Sequence, residues 1–341
     1  MGGVELLFGI GFVWILFAVI SDIKTRDIPN WLNFSLLVFS LAFRFFYSFF
    51  SGSGENFLIP LIFGSLTIFL VLNFFSTYFK SKAHEITTFL VYSLTFVLIG
   101  YLLMFYAGAN QDFSFFYPGV LGVGILFVVG NLFYYGKVFA GGDAKLMVSL
   151  GGILPVFLMF NQNLGSFILF LLLFLVIGSL YGILMSIIVG IREGKHFRKG
   201  FKILFSREKK MILIYNIFAI LFLGGSFLIY QFVYFAVFLF VFPYFYLFIK
   251  SVDLFCMIKK ISVSKLTVGD WLYRDVKIGK KLIRANWEGV SEEDIKILRK
   301  KKNVLVKYGI QFSPVFLISF IVFGILYKTE LIFYFLKLIG F

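Results

Sequence analysis

The stretch Gly141-Gly142-Asp143-Ala144-Lys145-Leu146 places an aspartate after two glycines and at the start of an apolar run. A second aspartate, Asp22, lies at the end of the first apolar run, residues 4–21. We interpret the two aspartates as the carboxylates of one site. For this to hold, the rest of the sequence must bring both side chains to the same depth in the protein.

The composition excludes an ordinary soluble protein. Of 341 residues, 60% are hydrophobic and 14% are charged, and the mean hydropathy is +0.97. A soluble domain of this composition would have too little polar surface to cover its core. The sequence therefore predicts an all-α polytopic membrane protein.

Ten apolar segments are candidates for membrane crossing, since about 20 helical residues span a hydrocarbon core of about 30 Å. They cover residues 4–21, 31–50, 57–79, 87–107, 118–135, 145–160, 165–190, 211–229, 232–249 and 313–340. Segment 145–160 is short, and Lys328-Thr329-Glu330 interrupts the last segment. We therefore expect about nine or ten transmembrane helices.

The basic residues indicate an orientation. The loops 51–56, 108–117, 161–164 and 230–231 contain no Lys or Arg. The alternate loops contain Lys24, Arg26, Lys80, Lys82, Lys137, Lys145 and eight basic residues in 191–210. The positive-inside rule then predicts a plasma-membrane protein with its N-terminus outside and both aspartates at the cytoplasmic face. We attribute the net charge of +15 to these loops. Membrane lipid is an expected partner of the protein, and nucleic acid is not.

Arg44 is a basic residue within a predicted span, 31–50, near the outer end of that span. We expect its side chain to snorkel to the membrane interface.

Residues 250–312 are polar and basic and predict a small cytoplasmic α+β insertion. Turns at Gly269-Asp270 and Ile278-Gly279 separate short alternating runs, and Ser291 is a candidate helix cap. The predicted domains are thus a transmembrane catalytic domain (1–249), this insertion (250–312) and a C-terminal transmembrane segment (313–341).

No metal or cofactor is expected. Cys256 is the single cysteine of the chain, and its two histidines, His84 and His196, lie in different loops. His84-Glu85 begins like the zinc-protease pattern H-E-x-x-H, but position 88 is Thr.

Two neighbouring carboxylates would share one proton, because both cannot easily be charged. Asp143 is expected at a helix N-terminus, which favours an anion, and Asp22 beyond a helix C-terminus, which disfavours one. We therefore expect Asp143 to be the partner that is more often ionised. Gly141 and Gly142 are expected to adopt unusual backbone angles and to let an extended substrate approach.

Residues 22–30, Asp-Ile-Lys-Thr-Arg-Asp-Ile-Pro-Asn, resemble the D-x-x-x-R-x-I-P-N motif of the type IV prepilin peptidases. Residues 140–146 resemble that family's G-x-G-D motif, with Ala140 in place of the first glycine. This departure leaves the local backbone angle open. The resemblance implies a membrane aspartyl protease with Asp22 and Asp143 as catalytic residues. Its supporting residues would be Arg26, Pro29, Asn30, Gly141, Gly142 and Lys145.

The resemblance also implies a substrate class. Members cleave class III signal peptides from pilin-like precursors at the cytoplasmic face. The four-cysteine loop of methylating bacterial members has no counterpart here, so the archaeal branch, which cleaves without N-methylation, is implied. Residues 307–314, Lys-Tyr-Gly-Ile-Gln-Phe-Ser-Pro, are similar to the G-I-P-F-x-P ending of longer archaeal members, with Gln311 as a departure. A pilin-type substrate is favoured over an archaellin.

Other interpretations stay open from the sequence. Signal peptide peptidases pair G-x-G-D with Tyr-Asp and Pro-Ala-Leu, but here Ser21 precedes Asp22 and Pro-Ala-Leu is missing from the sequence. A membrane transporter or a pilus-assembly scaffold would use the two acids differently. The sequence leaves open which residues bind the substrate leader and what residues 250–312 do. It also leaves open the oligomeric state and whether the aspartates are close without substrate.

Overall fold

The structure, a computed structural model, describes residues 2–52, 56–78, 85–109, 113–157, 160–279, 281–286 and 289–341. This part of the chain is mainly helical. Its α-helices are α1 (Gly2–Thr25), α2 (Asn30–Ser51), α3 (Leu58–Tyr78), α4 (Glu85–Ala109), α5 (Tyr117–Tyr135), α6 (Gly141–Leu150), α7 (Phe160–Arg192), α8 (Gly194–Arg207), α9 (Lys209–Gly225), α10 (Phe232–Ser251), α11 (Glu292–Leu298), α12 (Ser313–Lys328) and α13 (Leu331–Leu338).

Six helices of the described chain are long and apolar enough to cross a membrane: α1, α2, α3, α5, α7 and α10. A seventh is reached if α12 and α13 are counted as one broken span. These two helices are bent by 102° where the interruption at residues 328–330 was expected. The described helices therefore support a helical membrane protein and do not reach the predicted nine or ten spans. For example, α9 has only 17 residues.

The chain divides into two compact units. The first contains Met1–Ser179 and Gln311–Phe341, and the second contains Leu180–Ile310. Both candidate aspartates belong to the first unit.

In the first unit, α5 packs against α3, α4 and α6. An aromatic cluster between these helices forms much of the core: Phe74, Phe75, Phe89, Phe96, Phe116 and Phe127. Gly122 of α5 lies so close to the backbone of Gly151 that a Cβ at either position would overlap the other chain segment. This close approach brings the backbone that follows α6 directly against α5.

Helix α6 has only ten residues, so the predicted continuous span 145–160 is wrong. Residues 151–156 leave the helix but stay buried. Pro155 has no N–H to continue a helix, and it disfavours helical angles at Leu154. Irregular backbone at membrane depth is tolerated where protein surrounds it. Hydropathy showed the apolar run, but the prediction did not use Gly151, Gly152 and Pro155, which are the signals of this break.

The second unit contains helices and short strands. Strands β1 (Ile258–Ser262), β2 (Trp271–Leu272) and β5 (Asn303–Lys307) form an antiparallel sheet of order β1-β5-β2, and β3 (Val276–Ile278) pairs with β4 (Lys281–Ile283). In the β1–β5 pair, Ile258 is opposite Lys307.

The turns of the second unit follow the sequence prediction. Gly269 and Gly279 have φ of +91° and +59°, which favour glycine. Ser291 caps α11, since its Oγ accepts a hydrogen bond from the Asp294 N–H at 3.2 Å. Helix α8, in contrast, lies in a stretch that was expected to be a loop.

Candidate functional site

Asp22 lies in the last turn of α1. Its carbonyl accepts a hydrogen bond from the Arg26 N–H at 2.8 Å, and Arg26 ends the helix with φ of +58°. The Ser21 hydroxyl donates to the Asp27 carbonyl at 2.9 Å, so the loop folds back on the helix end. Pro29 then forms the N-cap of α2. The first motif is therefore a tight reversal between α1 and α2.

Asp143 lies in the first turn of α6 and is 9% exposed. Its Oδ2 accepts a hydrogen bond from the Ala140 N–H at 3.3 Å. Ala140 has φ of −74° and ψ of 164°, angles that any L-residue adopts. The departure from glycine at position 140 therefore imposes no backbone strain.

The two aspartates, distant in the sequence, are neighbours in the first unit. The charge of Asp22 acts on the carboxyl group of Asp143. The backbone N–H and the hydroxyl of Ser313, at the start of α12, lie within reach of the Asp22 carboxylate. The Ser313 hydroxyl is buried and makes no well-formed hydrogen bond in the described chain, so it is available to the Asp22 carboxylate. Three helices thus contribute to one polar site.

Sequence reasoning did not assign Ser313 to the site. Residues 307–314 were singled out by their sequence, but Ser313 occupies the unspecified position of the G-I-P-F-x-P pattern, so the pattern gave no signal for this residue. A serine before proline has many ordinary roles, such as capping a helix. Only the packing of α12 beside α1 brings it to Asp22.

The two glycines do not have the unusual backbone angles that were expected. Both Gly141 and Gly142 belong to helix α6. A Cβ added to Gly142 would lie 3.3 Å from the Ile28 Cβ, tighter than most such contacts. A Cβ on Gly141 would meet only a ring carbon of Tyr134, at 3.8 Å. Gly142 therefore permits the first motif to pack on the second, whereas Gly141 has free space.

Lys145 connects the two motifs on the other side of α6. Its Nζ donates a hydrogen bond to Oδ1 of Asn30 at 2.7 Å, and its side chain is 5% exposed. The prediction that Lys145 lies in a cytoplasmic loop is wrong, because Lys145 belongs to α6 and is buried. Residues two positions apart in an α-helix differ by about 200° in direction, so Lys145 and Asp143 point to nearly opposite sides of α6.

A groove of about 480 Å³ lies on the Lys145 side of α6. It is lined by Asn30, Phe34, Phe69, Leu72, Asn73, Phe75, Ser76 and Lys145. Neither aspartate lines this groove, so it is separate from the carboxyl pair.

More bonds join α2 to α6. Asn33 Nδ2 donates to the Gly142 carbonyl at 3.5 Å, and the Ser149 hydroxyl donates to the Asn33 carbonyl at 2.7 Å. With the pair of Asn30 and Lys145, these bonds form a polar seam along the two helices. The seam determines how deep α6, and with it Asp143, sits in the protein.

Arg44 completes this seam and does not snorkel to the interface as expected. Its side chain is 1% exposed. Its Nε donates to the Gly152 carbonyl at 2.6 Å, and its two Nη atoms donate to the carbonyls of Phe115, Ile153 and Pro155. A broken helix leaves carbonyls without partners, and arginine offers five donors. Arg44 therefore satisfies the backbone where α6 ends.

Burial affects which aspartate carries the negative charge. The N-terminus of α6 favours an anion at Asp143 by about 0.3–2 kcal/mol. Asp143 is, however, more buried than Asp22, and burial of a charge without a partner costs several kcal/mol. The two effects oppose each other, so the helix ends alone do not assign the charge to Asp143.

In the described part of the chain, no cluster of three or more His, Cys, Asp and Glu side chains has the geometry of a metal site. The chemistry that the site offers is that of two carboxyl groups sharing a proton: one accepts a proton while the other donates a hydrogen bond. Compared with protein-family models, with curated proteins and with solved structures, the chain matches none of them.

Proposed function

We propose that this protein is a membrane aspartyl endopeptidase that cleaves class III signal peptides from pilin-like precursors, without N-methylation of the product. The observation that carries the proposal is that Asp22 and Asp143, from two helices and two separate motifs, are electrostatic neighbours. The proposal takes its substrate class from the resemblance of residues 22–30 and 140–146 to the prepilin peptidase motifs.

In the proposed reaction, the ionised aspartate takes a proton from a water molecule that attacks the scissile carbonyl carbon. The protonated aspartate donates a hydrogen bond to the carbonyl oxygen, which becomes negatively charged. The proton then passes to the leaving nitrogen as the C–N bond breaks. Ser313 would support this cycle by placing its N–H and hydroxyl beside Asp22 when that carboxylate is charged.

The position of the site agrees with the proposed substrate. Asp22 lies at the end of the long apolar helix α1, and in the proposal a peptide bond would reach it at the membrane boundary. Pilin-like precursors are cleaved just before an apolar stretch, which would stay in the lipid. In the proposal, the protein is a multi-pass plasma-membrane protein with its N-terminus outside and the site at the cytoplasmic face.

The test is incubation of the purified full-length protein with a tagged prepilin and a tagged prearchaellin, followed by analysis of product size and of the new N-terminus. We expect cleavage of the prepilin and a loss of turnover of about 10³-fold or more in Asp22→Asn and in Asp143→Asn. Asp275→Asn is the matched control, because Asp275 accepts the Ala285 N–H in the second unit. An archaellin peptidase would prefer the other substrate.

A transporter or a pilus-assembly scaffold is the alternative from another class. A scaffold would keep binding the precursor in both Asn variants, with no cleavage by the wild type. Cleavage by the wild type that persists in both folded Asn variants would refute the role of the two aspartates.

A further inference from the structure

Helix α8 has a position that neither the proposed reaction nor the predicted loop explains. Only one residue separates it from α7, which ends at Arg192, and one from α9, which begins at Lys209. Helix α7 is a membrane-length apolar helix, and α9 turns apolar at Met211. Apolar helices on both sides would hold the two ends of α8 at one membrane surface, with its 14 residues along that surface.

One side of α8 is covered by the second unit itself. Gly200 and Leu204 are buried, and Gly200 lies directly against the ring of Phe255, so no larger side chain fits there. The rings of Phe197 and Phe248 are 5.4 Å apart. These contacts fix the rotation of α8 about its axis.

The other side of α8 is basic and exposed. The four basic residues Lys195, Arg198, Lys199 and Lys202, which we call the α8 basic face, fall within about 100° of the helix circumference. In the part of the chain that the structure describes, none of the four side chains has an ion-pair or hydrogen-bond partner.

The acidic residues nearest to α8 along the chain pair with other basic side chains and not with the α8 basic face. Glu193 lies 3.4 Å from the ring of His196, and Glu208 pairs with Lys250 at 3.3 Å. Two exposed apolar side chains lie beside the α8 basic face, one on each flank. They are Ile203, 46% exposed, and Phe205, 38% exposed. Basic residues with apolar flanks are typical of helices at a lipid surface.

We propose that the α8 basic face binds the headgroups of anionic membrane lipids. The partner is lipid rather than a soluble anion because α8 is held at the membrane by the apolar segments on both sides. Phosphate groups would meet the four cations, while Ile203 and Phe205 contact the upper part of the acyl chains. Each Lys or Arg near an anionic surface raises the affinity by about fivefold.

The test compares two variants of the full-length protein that lose the same charge. One is K195Q/R198Q/K199Q/K202Q. The matched control, R299Q/K300Q/K301Q/K302Q, removes four exposed cations after α11. Each is titrated in neutral detergent with phosphatidylglycerol or phosphatidylcholine, and bound lipid is counted by native mass spectrometry.

We expect the wild type and the control to bind phosphatidylglycerol with affinities within about twofold of each other, and the α8 variant to lose at least about tenfold. The wild type and both variants should bind phosphatidylcholine with similar affinity. Millimolar inorganic phosphate should not compete with phosphatidylglycerol for the wild type. Equal losses in the two variants, retention in the α8 variant, or competition by phosphate would overturn the proposal. Two double variants, K195Q/R198Q and K199Q/K202Q, replace the quadruple one if it does not fold. Lipid binding is measured without substrate, so the result does not depend on the proposed peptidase activity.

Discussion

A buried charged residue lies at each end of α6, and the two residues differ in the number of their hydrogen-bond partners. At the C-terminal end, Arg44 donates to four backbone carbonyls and lies 4.5 Å from the centre of the Phe115 ring. At the N-terminal end, Asp143 accepts one long hydrogen bond, from Ala140, and faces the like charge of Asp22.

The difference separates a structural charge from a candidate reactive one. A buried charge with most of its donors used, such as Arg44, stabilises one backbone arrangement and has little left for chemistry. A buried carboxyl with few partners keeps its proton exchangeable and its oxygens open to a ligand. A buried charge therefore indicates a reactive group only when its partners are few.

The largest expected effect comes from removing the cation at the C-terminal end. Arg44→Met leaves three buried carbonyls and the half-buried Phe115 carbonyl without a donor, at about 1–3 kcal/mol for each that water does not reach. We expect the free energy of unfolding to fall by at least about 3 kcal/mol, measured by thermal unfolding in detergent. Phe50→Met, at a lipid-exposed position of α2, is the control and should change little. If the two variants unfold alike, Arg44 does not hold the break in α6.

The second effect concerns the seam that sets the depth of Asp143. Asn30→Ala and Lys145→Met each remove one partner of the 2.7 Å bond. Hydrogen bonds to charged groups contribute about 1.5–3 kcal/mol, so a double-mutant cycle should give a coupling energy in that range. The measurement is unfolding free energy for the two single variants and the double variant. Strict additivity would mean that the two motifs are not coupled through this bond.

The third effect distinguishes the two glycines of the second motif. Gly141→Ala should keep peptidase activity within about twofold and gain about 0.5 kcal/mol of stability, because it has space and a helical backbone. Gly142→Ala should lose that gain and reduce activity several-fold, because its Cβ displaces Ile28. Cleavage rates and unfolding of the pair are compared directly. A stable but inactive Gly141→Ala would restore the idea that substrate approaches this backbone.

The smallest effect is expected at Ala140. Ala140→Gly completes the G-x-G-D pattern that residues 140–143 resemble, yet the backbone there is already extended and unstrained. Glycine is a better N-cap than alanine but has more conformational freedom to lose, so the two contributions oppose each other. Unfolding free energy should change by less than about 0.5 kcal/mol, and cleavage by less than twofold. A large gain in activity would show that the N–H of residue 140 limits the reaction.

The helical membrane character was predictable, because hydropathy over about 20 residues depends only on local composition. The caps and turns of the second unit were predictable for the same reason, as at Ser291 and Gly269. The break after Leu150 was missed although Gly151, Gly152 and Pro155 are signals for it, because hydropathy alone counts residues 151–156 as part of an apolar run. Arg44 was misjudged because its sequence position shows the charge but not the carbonyls that receive it.

The amino-acid sequence by itself determined the apolar character of the helices, the two aspartate motifs and the clustering of basic residues in 191–210, since each depends on residues close together in the chain. Only the tertiary structure brought Asp22, Asp143 and Ser313 to one site, joined Asn30 to Lys145 and gave Arg44 its four carbonyls. The physical reason is that partners of buried polar groups are chosen by packing across helices. Local sequence specifies that such a group needs partners but not which distant residue supplies them.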